Sequence, residues 1–338
     1  MNISQTDRLN TILILLSFGL AYFLPFELFL MAYAILGPLH YFTEVNWIRD
    51  NNYFVSNTNW IYIVLAFALL LSVPKLLKLE VFTPTNDNDT VVYIRSKLPT
   101  YLNSLFFIGI VIAIALIAFK NRQKQLIIIG LAIIVAVLMH QFTLYHVIFS
   151  IFIPTIIHVY LFTLFFMWYG NLKNKSHIGS LNVLLIIIIP VIICFIPVDQ
   201  GLYNFSENIK SNYVGNNFHI LNTNISKILG LTDGSKFFFY EILDLKIQMF
   251  ISFAYTYHYL NWFSKTTIIR WHQKLTTKKS LIILILWMLS ISLYFYDYKT
   301  GLELLLFCSL VHVFVEFPLN IISIREIGRH YLTMKKNI

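Results

Sequence analysis

Apolar runs approaching the thickness of a bilayer recur along the whole chain, and nothing else in the sequence limits its fold so sharply. About ten stand out, near residues 10–24, 26–43, 59–74, 99–119, 125–141, 147–169, 180–197, 246–264, 280–296 and 301–323. The peptide groups of such segments must be satisfied internally once water is excluded, so the runs are predicted to be helices. Composition agrees: 58% of the 338 residues are hydrophobic, only 12% are charged, and the mean hydropathy is +0.70. A soluble domain carries about 25% charged residues. The expected fold is therefore all-α: a polytopic membrane helical bundle over residues 1–338, read as a single transmembrane domain. Pro25 and Glu27 interrupt the first long run, which reads as either two short helices or one span with a re-entrant piece.

Charge sets the expected orientation. Most of the 25 Lys and Arg, among them Arg8, Arg49, Lys120, Lys173, Lys265, Arg270, Lys279 and Arg329, fall on one side if both termini are cytoplasmic. The positive-inside rule then favours ten spans with both ends inside, in the cell membrane. The net charge of +9 is explained by these loops and by anionic headgroups, and no nucleic-acid function is read from it. Two connections are long and polar, at about 75–98 and 198–245. No cleavable signal peptide is evident after the polar start Met1–Arg8. Cys194 and Cys308 lie in apolar segments, give no disulfide framework, and read as buried thiols.

Within this apolar background one pattern occurs twice: His40-Tyr-Phe-Thr-Glu44 and His312-Val-Phe-Val-Glu316. Four residues on a helix return to the same face, so each histidine lies one turn from its glutamate. Ionisable groups at membrane depth are expensive and mark function unless they are paired or coordinated. His258, in Tyr257-His258-Tyr259-Leu-Asn261-Trp262, and His158, four residues after Pro154, fall at compatible depths. His40, Glu44, His158, His258, His312 and Glu316 are thus the predicted metal-ligating set, with His158 an optional member. Nitrogen and oxygen donors without cysteine suit a divalent metal, iron first, with zinc or manganese as alternatives. The competing reading leaves the histidines as packing polar groups and the glutamates interfacial or paired with a cation. His140 and His146 are six residues apart, poor spacing for one helix face, and read as interfacial. His177, His219, His272 and His330 show no ligand spacing.

The stretch Gly37-Pro38-Leu39-His40-Tyr41-Phe42-Thr43-Glu44 resembles the Brp/Blh-type β-carotene dioxygenases, integral membrane non-haem iron enzymes with a Gly-x-Pro-His motif and an acidic residue four positions on. The resemblance implies an all-helical membrane bundle in which histidines hold iron and a polyene is cleaved with O₂. It implies His40 as a ligand, Glu44 as its acidic partner, and His258 as one of a late pair of histidine ligands. This chain departs from the pattern in several places. Its proline precedes the histidine by two residues, Tyr41 stands where the family has glycine, and Trp262 occupies the place of the second late histidine. The family's second-span His-Phe-Gly motif has no counterpart.

These features predict a membrane enzyme that oxidises or cleaves a lipid-soluble substrate, with membrane lipid or a lipid-soluble small molecule as its partner. The alternative is a proton- or cation-coupled transporter using the His/Glu pairs, with Pro25, Pro154, Pro190 and Pro318 as material for broken helices. A structural or assembly subunit is the third reading. There is no GxGxxG, P-loop, nucleophile elbow or HExxH helix to support nucleotide hydrolysis or metalloprotease chemistry.

Overall fold

Each predicted apolar run coincides with a helix in the computed structural model, which describes residues 3–55, 59–79, 88–265 and 271–336. In chain order the helices are α1 (Ile3–Phe23), α2 (Pro25–Met31), α3 (Gly37–Asp50), α4 (Trp60–Leu76), α5 (Asp89–Ser96), α6 (Leu98–Ala118), α7 (Arg122–Met139) and α8 (Thr143–Val147). They continue as α9 (Thr163–Asn174), α10 (His177–Phe195), α11 (Glu207–Gly215), α12 (His219–Ile228), α13 (Ile242–Ser264), α14 (Thr277–Tyr296) and α15 (Tyr298–Lys336). Wide π turns at Ala32–Leu36 and Ile148–Phe162 join α2 to α3 and α8 to α9. No strand occurs among the described residues.

Among the described residues, seven helical segments are long and apolar enough to cross a membrane: Pro25–Asp50, Leu98–Ala118, Arg122–Met139, Thr143–Asn174, His177–Phe195, Thr277–Tyr296 and Tyr298–Thr333. They mark the chain as a membrane protein. The helices α1 and α13 are not among the seven, and α4 is shorter. Much of the apolar surface of α7 and α14 is exposed, as at Ile127, Val137, Ile285 and Leu289. Lipid is the solvent that such faces suit.

The helices fall into two compact units, each made of separate stretches of sequence. The first comprises residues 1–40, 155–280 and 326–338; the second comprises 41–154 and 281–325.

In the first unit α13 lies in the groove of a helical hairpin. Tyr257 and Ser264 donate to Asn10 Oδ1 at 3.0 and 2.9 Å, and Gln248 Nε2 donates to the Pro25 carbonyl at 3.0 Å. These links set α1 antiparallel to α13. The chain then turns at Leu24–Pro25, and α2 runs back beside α13, with Phe29 against Tyr255 and Gly37 beneath Tyr259. A Cβ at Gly37 would stand 3.3 Å from the Tyr259 hydroxyl oxygen, so glycine permits this approach. The interrupted first run is therefore two helices. On the other flank Asn182 of α10 donates to the Asp7 carbonyl and accepts from Thr11, at 2.8 and 2.6 Å.

The long connection at 198–245 is more ordered than its polar composition suggested. Ser206 caps α11 by accepting from the Ile209 amide, and Tyr213 on α11 is fully buried. Its hydroxyl donates to Gln248 Oε1 at 2.5 Å, and its ring meets Phe26 edge to face. Phe205, Phe237 and Phe239 complete an aromatic cluster around Phe26. Turn-forming residues made the segment look like a loop; the aromatics between them fold it into a layer.

In the second unit α6 and α7 form a hairpin closed by Gln125 Nε2 donating to the Phe119 carbonyl at 2.7 Å. Phe314 of α15 packs against Phe106 and over Gly109, where a Cβ would come within 2.6 Å of the ring. Asp297 caps α15 by accepting from the amide and hydroxyl of Thr300, at 2.7 and 2.6 Å. The connection at 75–98 contains α5, capped by Asn88, while its Thr83–Asp87 stretch lies outside the described residues, as does Arg270. One expectation is corrected here. Cys194 is exposed, because it sits on the outer face of α10, and Cys308 is only partly buried.

Candidate metal centre

All six residues singled out by sequence are buried, from 2% exposure for His40 to 7% for Glu316. Four of them lie on α3 and α15; His258 lies on α13 and His158 in the wide turn before α9.

In the first unit His258 is the hub. Its ring centroid is 4.6 Å from that of His40 and 5.2 Å from that of His158. Both outer histidines are delivered by wide-turn geometry, His158 from within Ile148–Phe162 and His40 just after Ala32–Leu36. Such turns shift the phase of the following residues and re-aim their side chains. Tyr259 and Trp262 close around the His40 ring, with centroids at 5.3 and 5.8 Å.

The proton on His258 can be placed from hydrogen bonding. Thr163 Oγ1 lies 2.8 Å from the Val159 carbonyl and 2.8 Å from His258 Nδ1. A carbonyl only accepts, so the single hydroxyl proton of Thr163 is committed to Val159. Nδ1 of His258 must then donate to Thr163. The proton sits on Nδ1, and Nε2 carries the basic lone pair. Metal-binding histidines are commonly fixed in this way, the distal N–H donating to a neighbouring oxygen.

In the second unit the hub is His312. Its Nε2 lies 2.9 Å from Glu44 Oε2 and 3.6 Å from Glu316 Oε2. The donation to Glu44 puts the proton on Nε2 and the lone pair of a neutral ring on Nδ1. With both carboxylates ionised, this trio would be net negative even with the ring protonated. A shared proton or a bound cation offsets that charge in a buried setting.

The buried histidines and glutamates therefore form groups that could hold a metal ion. The donors fit such an ion chemically: imidazole nitrogens, with the tautomer fixed in His258 and His312, and carboxylate oxygens.

His140 and His146 come together despite their spacing, with centroids at 5.1 Å, because the chain turns between α7 and α8. Asn103 Nδ2 donates to His146 Nδ1 at 2.7 Å, and His146 Nε2 donates to the His140 carbonyl at 2.5 Å. Both nitrogens of His146 are thus occupied by protein, in keeping with a packing role at the end of the hairpin. Sequence reasoning missed Thr163. A threonine in an apolar helix looks ordinary until the partner of its hydroxyl is seen.

No family model, curated protein or solved structure matches this chain.

Proposed function

We propose that this chain is a multi-pass enzyme of the cell membrane that uses a metal, iron by preference, to oxidise or cleave a lipid-soluble substrate. Its ligands are drawn from His40, His158, His258 and His312, with Glu44 and Glu316 as ligands or orienting acceptors. About ten spans with both termini in the cytoplasm remain the topology that the lysine and arginine bias favours. The observation that carries the metal reading is the Thr163–His258 hydrogen bond, which presents His258 with Nε2 as its basic nitrogen. The resemblance around Gly37–Glu44 supports iron and a polyene-like substrate.

In this reading the protein's own groups orient and enclose. Thr163 holds the His258 tautomer, Glu44 holds His312 through Nε2–H, and Tyr259 and Trp262 pack on His40 and keep water from it. A bound iron would supply open coordination positions for dioxygen and substrate. The test is to incubate iron-loaded protein in detergent with a carotenoid-class polyene and O₂, and to follow products by mass spectrometry. Carbonyl products that vanish in His312→Ala support the reading; an unchanged polyene with fully loaded protein contradicts it.

The two carboxylates on His312 favour a second reading, in which this trio carries a proton for a coupled transporter. Substrate-driven proton flux in proteoliposomes, lost in Glu316→Gln, would favour it.

A further inference from the structure

Three hydroxyls in the first unit stand out by what they do not do. A buried Ser or Thr in a helix ordinarily donates to the carbonyl four residues back. Thr163, Ser290 and Ser323 all do so here, at 2.8, 2.7 and 3.0 Å. Ser17 of α1 and Ser252 and Thr256 of α13 do not. They are 0%, 0% and 2% exposed, and none of their oxygens has a hydrogen-bond partner among the described residues. Buried polar atoms left in this state are costly, and ordered water is their usual remedy.

The register of the hairpin places the three at one level. Asn10 of α1 is tied to Tyr257 and Ser264, and the carbonyl of Pro25, just past α1, is tied to Gln248. Ser17 lies midway between Asn10 and Pro25, so it falls opposite the stretch from Ser252 to Thr256. Around α13, Ser252 and Thr256 point between the direction of Gln248, which faces the Pro25 end of the hairpin, and that of Tyr257, which faces α1. All three hydroxyls therefore face the interior of the α1–α2–α13 core.

We propose that Ser17, Ser252 and Thr256 form an internal hydration site holding one or more bound waters between α1, α2 and α13. The chemistry selects the ligand. The three are neutral hydroxyls that each donate and accept, so an ion gains no counter-charge from them and water meets both needs. The site is independent of any metal. It gives α13, the helix that carries His258, an exchangeable polar contact with the hairpin.

Met249, fully buried one turn before Ser252, reports on the site. Radiolysis of water by a synchrotron X-ray pulse generates hydroxyl radicals where water is bound, and methionine sulfur captures them readily. The expected result is oxidation of Met249 in the wild-type protein in detergent, measured by peptide mass spectrometry, and its loss in a Ser252→Ala/Thr256→Val double variant. Both substitutions keep volume close to native, and an unchanged melting temperature confirms the fold. A Met249 that stays unmodified in the wild type overturns the proposal. So does oxidation of equal extent in the double variant.

Discussion

Thr163 decides the protonation of His258, and the prediction at this scale follows from that. Thr163→Val keeps the side-chain volume and removes the acceptor for Nδ1–H. Loss of an orienting hydrogen bond of this kind lowers metal affinity about 10- to 100-fold. Competition titration with a chelator should show that weakening at an unchanged melting temperature, while Thr163→Ser should retain wild-type affinity. Equal affinity in all three would mean that His258 is not a ligand. Gly109 gives a second test, of packing alone. In Gly109→Ala the new methyl meets Phe314 at 2.6 Å, within a cluster that also holds Phe67 and Phe106. Overpacking of this sort costs about 1–3 kcal/mol. A lowered midpoint of thermal unfolding in detergent is expected, with metal content unaffected.

At the scale of elements, the 198–245 layer has a predictable pH response. His219 opens α12 against Phe237, and burial lowers its pKa from the ordinary value of 6.5. A depressed value in the folded layer means that the neutral ring is the favoured form. Its contribution is complete above pH 6.5 and is lost as pH falls below that value toward the depressed one. Protection of the α11 and α12 amides, taken relative to their intrinsic exchange rates, should therefore weaken as pH falls below 6.5, and a His219→Phe variant should lose that pH dependence. Protection that does not change with pH in the wild type would contradict this account. The layer also marks where the sequence stopped being legible. Apolar length located the long helices, including both arms of the first hairpin. It could not find α11 and α12, whose order comes from Phe26, Tyr213 and Phe237 meeting across distant stretches. The His/Glu spacing likewise gave the right side chains for burial, because four residues on a helix is a local property. Neither the tautomer of His258 nor the contact between His158 and His258 is local; membrane depth made the contact an expectation, but the tautomer could not be read in advance.

For the whole molecule the central claim is that the buried histidines and carboxylates serve a metal. Burying Glu44, Glu316 and four histidines in an apolar protein is costly unless something neutralises and fixes them. A divalent ion would do both, and the hydrogen bonds that His258 donates to Thr163 and His312 donates to Glu44 already fix the tautomers of those two rings. The most direct test is the metal content of the protein purified in mild detergent without chelators, measured by inductively coupled plasma mass spectrometry. Near-stoichiometric iron in the wild type, lost in His258→Ala and in His312→Ala, is the predicted result. Metal no higher than in a detergent blank, before and after reconstitution with iron, zinc or manganese, would contradict it.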